Sequence, residues 1–317
     1  MENPKVSVII PVYNGEKTLK QCLDSVLNQT YKNYEVIAID NCSTDKTKDI
    51  IKKFQSKNEK VSYVFERRRS RGAARNAGIK VAKGEIIAIT DGDCVVPENW
   101  IEELTKPIIY ENETAVMGFE EELIKNYWAK NIQKANWKFF QRNLNGEYIN
   151  CIDTKNFAIK SSIIKKMMFD SSLSNFEDFD LSLRLKKLIK IRFVPSVRVK
   201  HNHESRFINV VKLNFDRAYW TTKIFQKHKG VKDEIMTESI SIKNFALFPF
   251  WIMLQFMIKP WGEAFFLLVS EVSWRVGILW ALLNPSSCYT HSQKIKFSVM
   301  NIRPNQHHPV DSSIEEK

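Results

Sequence analysis

The sequence predicts an α/β sandwich on a mostly parallel sheet, followed by a helical, apolar region. Short β-branched runs alternate with helical segments through short loops over the first hundred residues, and acidic residues cluster where the runs end. The run VSVIIPV, 6–12, has no polar alternation beyond Ser7 and suits a strand buried on both faces. Asn14-Gly15 then turns the chain, and Leu19, Cys22, Leu23, Val26 and Leu27 fall at helical spacing within 16–27. YEVIAID, 34–40, is a second strand, and Ser43-Thr44 is expected to cap a helix reaching about residue 57. A third strand, 61–65, precedes a helix over 73–82, and EIIAIT, 85–90, leads to Asp91-Gly92-Asp93.

Further along, 120–150 reads as a loose polar stretch, and 157–159 as a short apolar segment. FEDFDLSLRLKKLI is a helix from about residue 177, with Ser174-Asn175 as its expected cap. Two strand-like pieces, IRFV and SVRVKHNH, close the region. This divides the chain into a catalytic domain over 1–204, a helical region over 205–290, and a polar tail over 291–317 expected to be mobile.

Composition excludes several classes. With 44% hydrophobic and 26% charged residues, the chain is neither disordered nor a collagen-like or disulfide scaffold. Five scattered cysteines without a CxxC pair suggest free thiols in a reducing compartment. The net charge of +12 points to an anionic partner. A nucleic-acid role is not expected, because the basic residues are spread along the chain and no nucleic-acid module is present. The short apolar run near the N-terminus meets Pro11 and a turn, so it reads as neither signal peptide nor anchor.

In open α/β sheets ligands sit beyond the carboxyl ends of strands. Tyr13-Asn14, Asp40 and the Asp91/Asp93 pair stand at such ends. Two carboxylates one residue apart offer hard oxygen ligands suited to Mg²⁺ or Mn²⁺, with Gly92 leaving room for close approach, although Asp-Gly-Asp is also good turn sequence. Cys94 reads as a small core side chain.

Several blocks in order resemble the family-2 inverting glycosyltransferases of the GT-A fold: 6–47, RGAARNAGIKVAKGEIIAITDGDCVVPENWIEEL, NFEDFDLSLRLKK and VRVKHNH, together covering about residues 4–204. The resemblance implies a Rossmann-like three-layer sandwich and single-sugar transfer from a nucleotide-sugar to a hydroxyl acceptor, with Mn²⁺ or Mg²⁺ as cofactor. It implies that Pro11, Tyr13, Asp40, Asp45, Arg75 and Asp91 contact the donor nucleotide. By the same resemblance Asp93 ligates the metal, with one of His201 and His203, and Asp178 is the general base. Glu177 and Asn76 support them from behind. Asp180 is expected to lie off the catalytic face, and Arg67 to Arg69 to be solvated.

The chain departs from the pattern at Asn41-Cys42, at Met168 and at Lys155, which stands where the family has glycine in a Thr-Gly-Asn-like segment. A Gln-x-x-Arg-Trp motif is missing, with Arg217-Ala-Tyr-Trp220 a partial echo, which favours a non-processive enzyme. A catalytically silent sugar-nucleotide-binding or scaffold relative is the alternative.

The apolar stretch 245–258 is short for a bilayer, whereas 264–283 is long enough but carries Glu271 and Arg275. Tryptophans there and lysines upstream favour a peripheral or monotopic seat on the cytoplasmic side of a membrane, with a possible span within 245–283. That seat would suit a lipid-linked or cell-surface glycan acceptor.

Overall fold

Ten strands form one mixed sheet in a computed structural model that describes residues 4–123, 126–202, 206–228 and 242–284. The polar tail and His203 lie outside the described residues. The strands are β1 (Val6–Val12), β2 (Tyr34–Asp40), β3 (Val61–Phe65), β4 (Ile86–Ile89), β5 (Cys94–Val95), β6 (Ala115–Glu122), β7 (Leu144–Asn145), β8 (Tyr148–Ile149), β9 (Phe157–Lys160) and β10 (Ile191–His201). Their order is β3-β2-β1-β4-β9-β6-β10-β8-β7, with β5 paired to β10. The β3-β2-β1-β4 half is wholly parallel. Antiparallel β9 joins β4 to β6, so β6 and its parallel neighbour β10 run the same way as β1 to β4. The carboxyl ends of all the long parallel strands therefore share one edge.

The helices are α1 (Leu19–Leu27), α2 (Thr47–Gln55), α3 (Arg71–Val81), α4 (Trp100–Tyr110), α5 (Tyr127–Asn143), α6 (Ser161–Met167), α7 (Glu177–Leu185), α8 (Phe207–Lys227), α9 (Ile242–Ile258) and α10 (Trp261–Leu283). Alternation along β1 builds the three layers. Val6, Val8 and Ile10 pack with Leu19, Leu23, Trp100 and Leu104 on one face. Ile9 packs with Ile37, Ile39, Ala74, Leu181 and Leu185 on the other.

The structure corrects four local expectations. Ser43 and Thr44 do not cap α2. Their backbone and hydroxyl groups bind Asn14, while the Asp45 carboxylate takes the Thr47 N–H and hydroxyl at the helix start. Nor do Ser174 and Asn175 cap α7: Phe176 occupies the cap position at φ 63°, and Asn175 accepts instead from Arg71 Nη1. The polar stretch contains a 17-residue helix, α5, whose pattern is blurred by exposed Tyr127, Trp137 and Phe139. Its capping residue Asn126 accepts from the Ala129 N–H. Finally, IRFV and SVRVKH form one strand, with the register against β6 shifting between Phe193 and Arg198.

Asn156 holds that irregular junction. It is 1% exposed, donates through Nδ2 to the Phe119 and Val197 carbonyls, and accepts from Trp100 Nε1. Gly118 lies against it so closely that an added Cβ would stand 2.2 Å from Nδ2.

Beyond the sandwich, α10 packs along α8, and Gly277 permits the approach because a Cβ there would sit 2.5 Å from the Phe215 carbonyl. Trp128 on α5 meets Phe207, Phe265 and Phe266 at ring-centroid distances of 5.5 to 6.3 Å. Lys227 at the end of α8 pairs with Asp170 and Asp180, both at 2.6 Å. Among the described residues, α10 is the one helix long and apolar enough to cross a membrane.

Asn156→Ala removes both donors and the acceptor at once. We expect a stability loss of about 3 kcal/mol, with Asn156→Asp no rescue because it supplies no donor. Thermal unfolding followed by circular dichroism checks this; an unchanged midpoint for Asn156→Ala would contradict it.

Candidate active site

The shared strand edge gathers the acidic residues. Val12 pairs with Asp40 across β1 and β2, and the Asn41 N–H donates to the Val12 carbonyl at 2.8 Å, bringing Tyr13, Asp40 and Asn41 together. Asp40 is 2% exposed; its carboxylate accepts from the Ser43 N–H and, at 3.2 Å, from the Tyr63 hydroxyl. That hydroxyl titrates at about 12, raised by burial and by the Asp40 charge. Pro11 is half-buried within β1. Tyr13 is exposed, with the Arg69 guanidinium 4.2 Å from its ring centroid, so Arg69 is engaged at this rim. Asp45 spends its carboxylate on the Glu16 and Thr47 N–H groups and the Thr47 hydroxyl, which braces the loop beside Asp40.

Arg75 ties two parts of the site together. From α3 it donates to Asp91 Oδ1 at 2.9 Å and to Glu177 Oε1 at the start of α7. Burial alone would lower its pKa, but Asp91, Glu177 and Asp178 outweigh that and raise it. Asn76, the next residue, exchanges hydrogen bonds with the Phe169 backbone N–H and carbonyl at 2.9 and 2.8 Å, fixing the segment that leads to α7. Asp180 turns away, to Arg184, Lys227 and His228. Among the described residues Asp178 has no cation in contact, and its Oδ1 accepts from the Phe179 N–H at 2.8 Å. Burial first, and then the Glu177 charge, push its carboxyl up to about 7. Adjacent helical residues diverge by about 100°, which separates buried Glu177 from Asp178.

On the other side of Asp91, Asp93 Oδ2 lies 3.4 Å from His201 Nε2. Asp93, Cys94 and His201 bring their ligand atoms within 4.8 Å of one another. Burial opposes ionisation of Asp93, but His201 and Lys155 overcome it and hold the carboxyl below its usual value. The Cys94 thiol is pushed well up by burial and by neighbouring carboxylates, so it stays neutral and is a poor donor. The remaining carboxylate and imidazole fit a divalent ion such as Mn²⁺, with room for substrate oxygens. Gly92 also has a packing role, since a Cβ there would lie 2.9 Å from Val12 Cγ2.

Sequence reading missed four charged groups here, Lys155, Asp153, Arg217 and Glu120. Lys155 was recognised only as a departure; its ammonium lies 2.9 Å from both Glu120 and Asp153. Burial raises the Asp153 pKa even against Lys155, whereas burial of Lys155 is outweighed by Asp153, Glu120 and Asp91, which raise its own. Arg217, the motif echo on α8, faces Glu120, Asp153 and Asp178, although burial lowers its pKa. Glu120 was findable: it stands near the carboxyl end of β6, where the strand-end rule points.

The comparisons with known proteins agree with this architecture. The family profile "Glycosyl transferase family 2" matches residues 7–168. An uncharacterized glycosyltransferase of Methanocaldococcus jannaschii is 29% identical over 250 residues, covering 72% of this chain and 82% of that protein. Another, from Rickettsia typhi, is 30% identical over 229 residues, covering 69% and 71%. Among solved structures, a mannosyltransferase from Pyrobaculum calidifontis, in complex with GDP-Man and Mn²⁺, superposes with a TM-score of 0.66 at 18% identity, covering 89% of this chain and 88% of its own. The chain belongs to glycosyl transferase family 2, and it is a glycosyltransferase of the GT-A fold.

Removing the Arg75 guanidinium leaves two carboxylates uncompensated. Arg75→Met is expected to cost about 3–5 kcal/mol, and Arg75→Lys to recover only part of it, because an ammonium lacks the planar fork. Differential scanning calorimetry reads both; equal midpoints for wild type and Arg75→Met would contradict the bridge.

Proposed function

We propose that the cleft carries out metal-dependent, inverting transfer of a single sugar from a nucleotide-sugar to a hydroxyl of a lipid-linked or cell-surface glycan. The observation that carries this reading is Asp178 at the start of α7, beside the Glu177 that Arg75 joins to Asp91, with burial and the Glu177 charge pushing the Asp178 carboxyl up to about 7. A base with that pKa is substantially ionised at neutral pH and still basic enough to accept the proton of an attacking hydroxyl.

The residues divide the work by position. Pro11, Tyr13 and Asp40 wall the pocket for base and ribose, with Asp45 bracing it and Arg69 covering Tyr13. Arg75 orients Asp91 toward the donor and Glu177 away from the acceptor side. Asp93 and His201 would hold Mn²⁺ or Mg²⁺, which when bound supplies positive charge to a leaving nucleoside diphosphate. Asp178 takes the acceptor proton. The mannosyltransferase of like fold, solved with GDP-Man and Mn²⁺, carries ligands of the same class.

A membrane seat fits the C-terminal helices. α10 buries Ala264, Ser273, Gly277 and Ala281, while Phe265, Val276, Leu279 and Leu283 are exposed. Phe250, Met253, Met257 and Ile258 of α9 are exposed as well. Glu271 and Arg275 pair with each other, and the guanidinium lies 4.0 Å from the Phe248 ring centroid, which lowers the cost of placing these charges near lipid. We read α9 and α10 as lying in the interface, with the strand-end cleft in the water.

Asp178→Asn should abolish transfer while leaving nucleotide-sugar binding by calorimetry within about threefold; persisting transfer would refute the base assignment. In wild type, kcat/KM should rise with pH and level off above about 7, because the protonated carboxyl that dominates below that value cannot accept a proton. A profile flat from pH 5.5 to 8 (roughly the span either side of that value) would contradict it. Flotation with anionic liposomes should carry the protein upward, and an alkaline carbonate wash should release it; retention after the wash would indicate spanning instead.

A further inference from the structure

A cavity of about 160 Å³ lies between α5, α8 and α10, outside the chemistry assigned to the strand edge. Ile132 of α5, Leu213 of α8, and Phe266, Leu267 and Trp274 of α10 give it apolar walls. An apolar cavity of about 150 Å³ is enough to hold a benzene-sized group. Arg217 of α8 also lines it, half-buried, and among the described residues no hydrogen bond or ion pair engages its side chain. The neighbouring acids are committed elsewhere. Glu271, at the same cavity, pairs with Arg275, and Lys155 holds Glu120 and Asp153, each at 2.9 Å. Burial acts against the Arg217 charge more strongly than Glu120, Asp153 and Asp178 support it, so its pKa is lowered. A guanidinium nevertheless stays charged. The cost of keeping that charge out of water falls when an anion reaches it.

We propose that this cavity binds a phosphorylated lipid, with the phosphate on Arg217 and the adjoining stretch of hydrocarbon between α5, α8 and α10. A phosphate accepts two parallel hydrogen bonds from the guanidinium fork, and the apolar walls receive the carbon chain attached to it. A neutral lipid leaves the guanidinium unpaired, and a free phosphate leaves the walls unfilled. The same helix α10 carries exposed Phe265, Val272 and Val276, apolar surface on which the rest of a chain can lie. Arg217 also senses the charge of Asp178, which places a phosphate seated on it on the side of the proposed base. The site thus deepens the reading of a lipid-linked acceptor, and its purpose in transfer rests on that reading.

The test is calorimetric titration of the full-length protein with dodecyl phosphate below its micelle concentration, without metal or nucleotide. Dodecanol and inorganic phosphate, each carrying half of the ligand, are titrated alongside. Wild type should bind dodecyl phosphate at least about tenfold more tightly than either. Arg217→Gln should weaken dodecyl phosphate about 10–100-fold, the loss of hydrogen bonds to a charged group, while dodecanol binds as before. Ala135→Phe fills the cavity from an exposed position on α5. It should weaken dodecyl phosphate about tenfold with Arg217 in place. It should also leave unchanged the binding of whichever of UDP and GDP the enzyme takes with Mn²⁺, and it carries the test if Arg217→Gln does not fold. Dodecanol or inorganic phosphate bound as tightly as dodecyl phosphate would overturn the proposal, as would wild-type affinity for dodecyl phosphate in both variants. Arg217→Gln losing the nucleotide but not dodecyl phosphate would overturn it too, placing Arg217 on the donor. No binding of dodecyl phosphate by an enzyme that still transfers sugar to extracted membrane lipid would overturn this site and leave the proposed reaction standing. The expected binding in a protein that transfers sugar only to soluble acceptors would uphold the site and refute the lipid-linked acceptor instead.

Discussion

Charge compensation inside the cleft is the constraint on which the site depends. Asp91, Asp93, Glu120, Asp153, Glu177 and Asp178 are drawn together by the sheet and the start of α7, and like charges about 4 Å apart at an effective dielectric near 20 repel by about 4 kcal/mol per pair. Arg75 and Lys155 make this tolerable by each touching two carboxylates. The arrangement moves the Asp178 and Asp93 carboxyls in opposite directions. Among the described residues Asp178 has no cation in contact and is raised, whereas Asp93 has His201 beside it and is lowered. One is suited to taking a proton and the other to holding a cation, and the difference comes from their neighbours.

The sheet's direction makes this possible. Because β9 enters antiparallel between β4 and β6, the N-terminal parallel half and the β6–β10 pair present carboxyl ends on the same side. Residues far apart in sequence, Asp40, Asp91, Glu120 and His201, reach one edge without long loops. The buried Asn156 fixes the junction where β10 shifts register, so His201 is placed by the core as well as by its strand.

Much of this was legible in the sequence. β1 to β4 and α7 read correctly because buried β-branched runs and a helix-period acidic segment are strong local signals. The strand-end rule and the block resemblance brought Asp40, Asp91, Asp93, Asp178 and His201 into view. What stayed hidden was set by tertiary structure. Helix α5 failed to read because its exposed aromatics blur its polar face, and both proposed caps failed because Ser43, Thr44 and Asn175 serve partners in other segments. Lys155 looked like an odd residue in a turn until its two carboxylate partners, one from β6, gave it a role.

The C-terminal helices extend the same logic outward: α8 turns Arg217 toward Glu120, Asp153 and Asp178, pairs Lys227 with Asp170 and Asp180, and packs along α10. The central claim remains the division of labour among the carboxylates at the strand edge. Anomalous diffraction from crystals grown with Mn²⁺ and a nucleoside diphosphate tests it most directly. A manganese peak in direct coordination with Asp93 and His201 and in contact with the diphosphate is expected, with Asp178 unliganded. A peak held by Asp178, or a diphosphate bound away from Asp91 and Asp93, would contradict it.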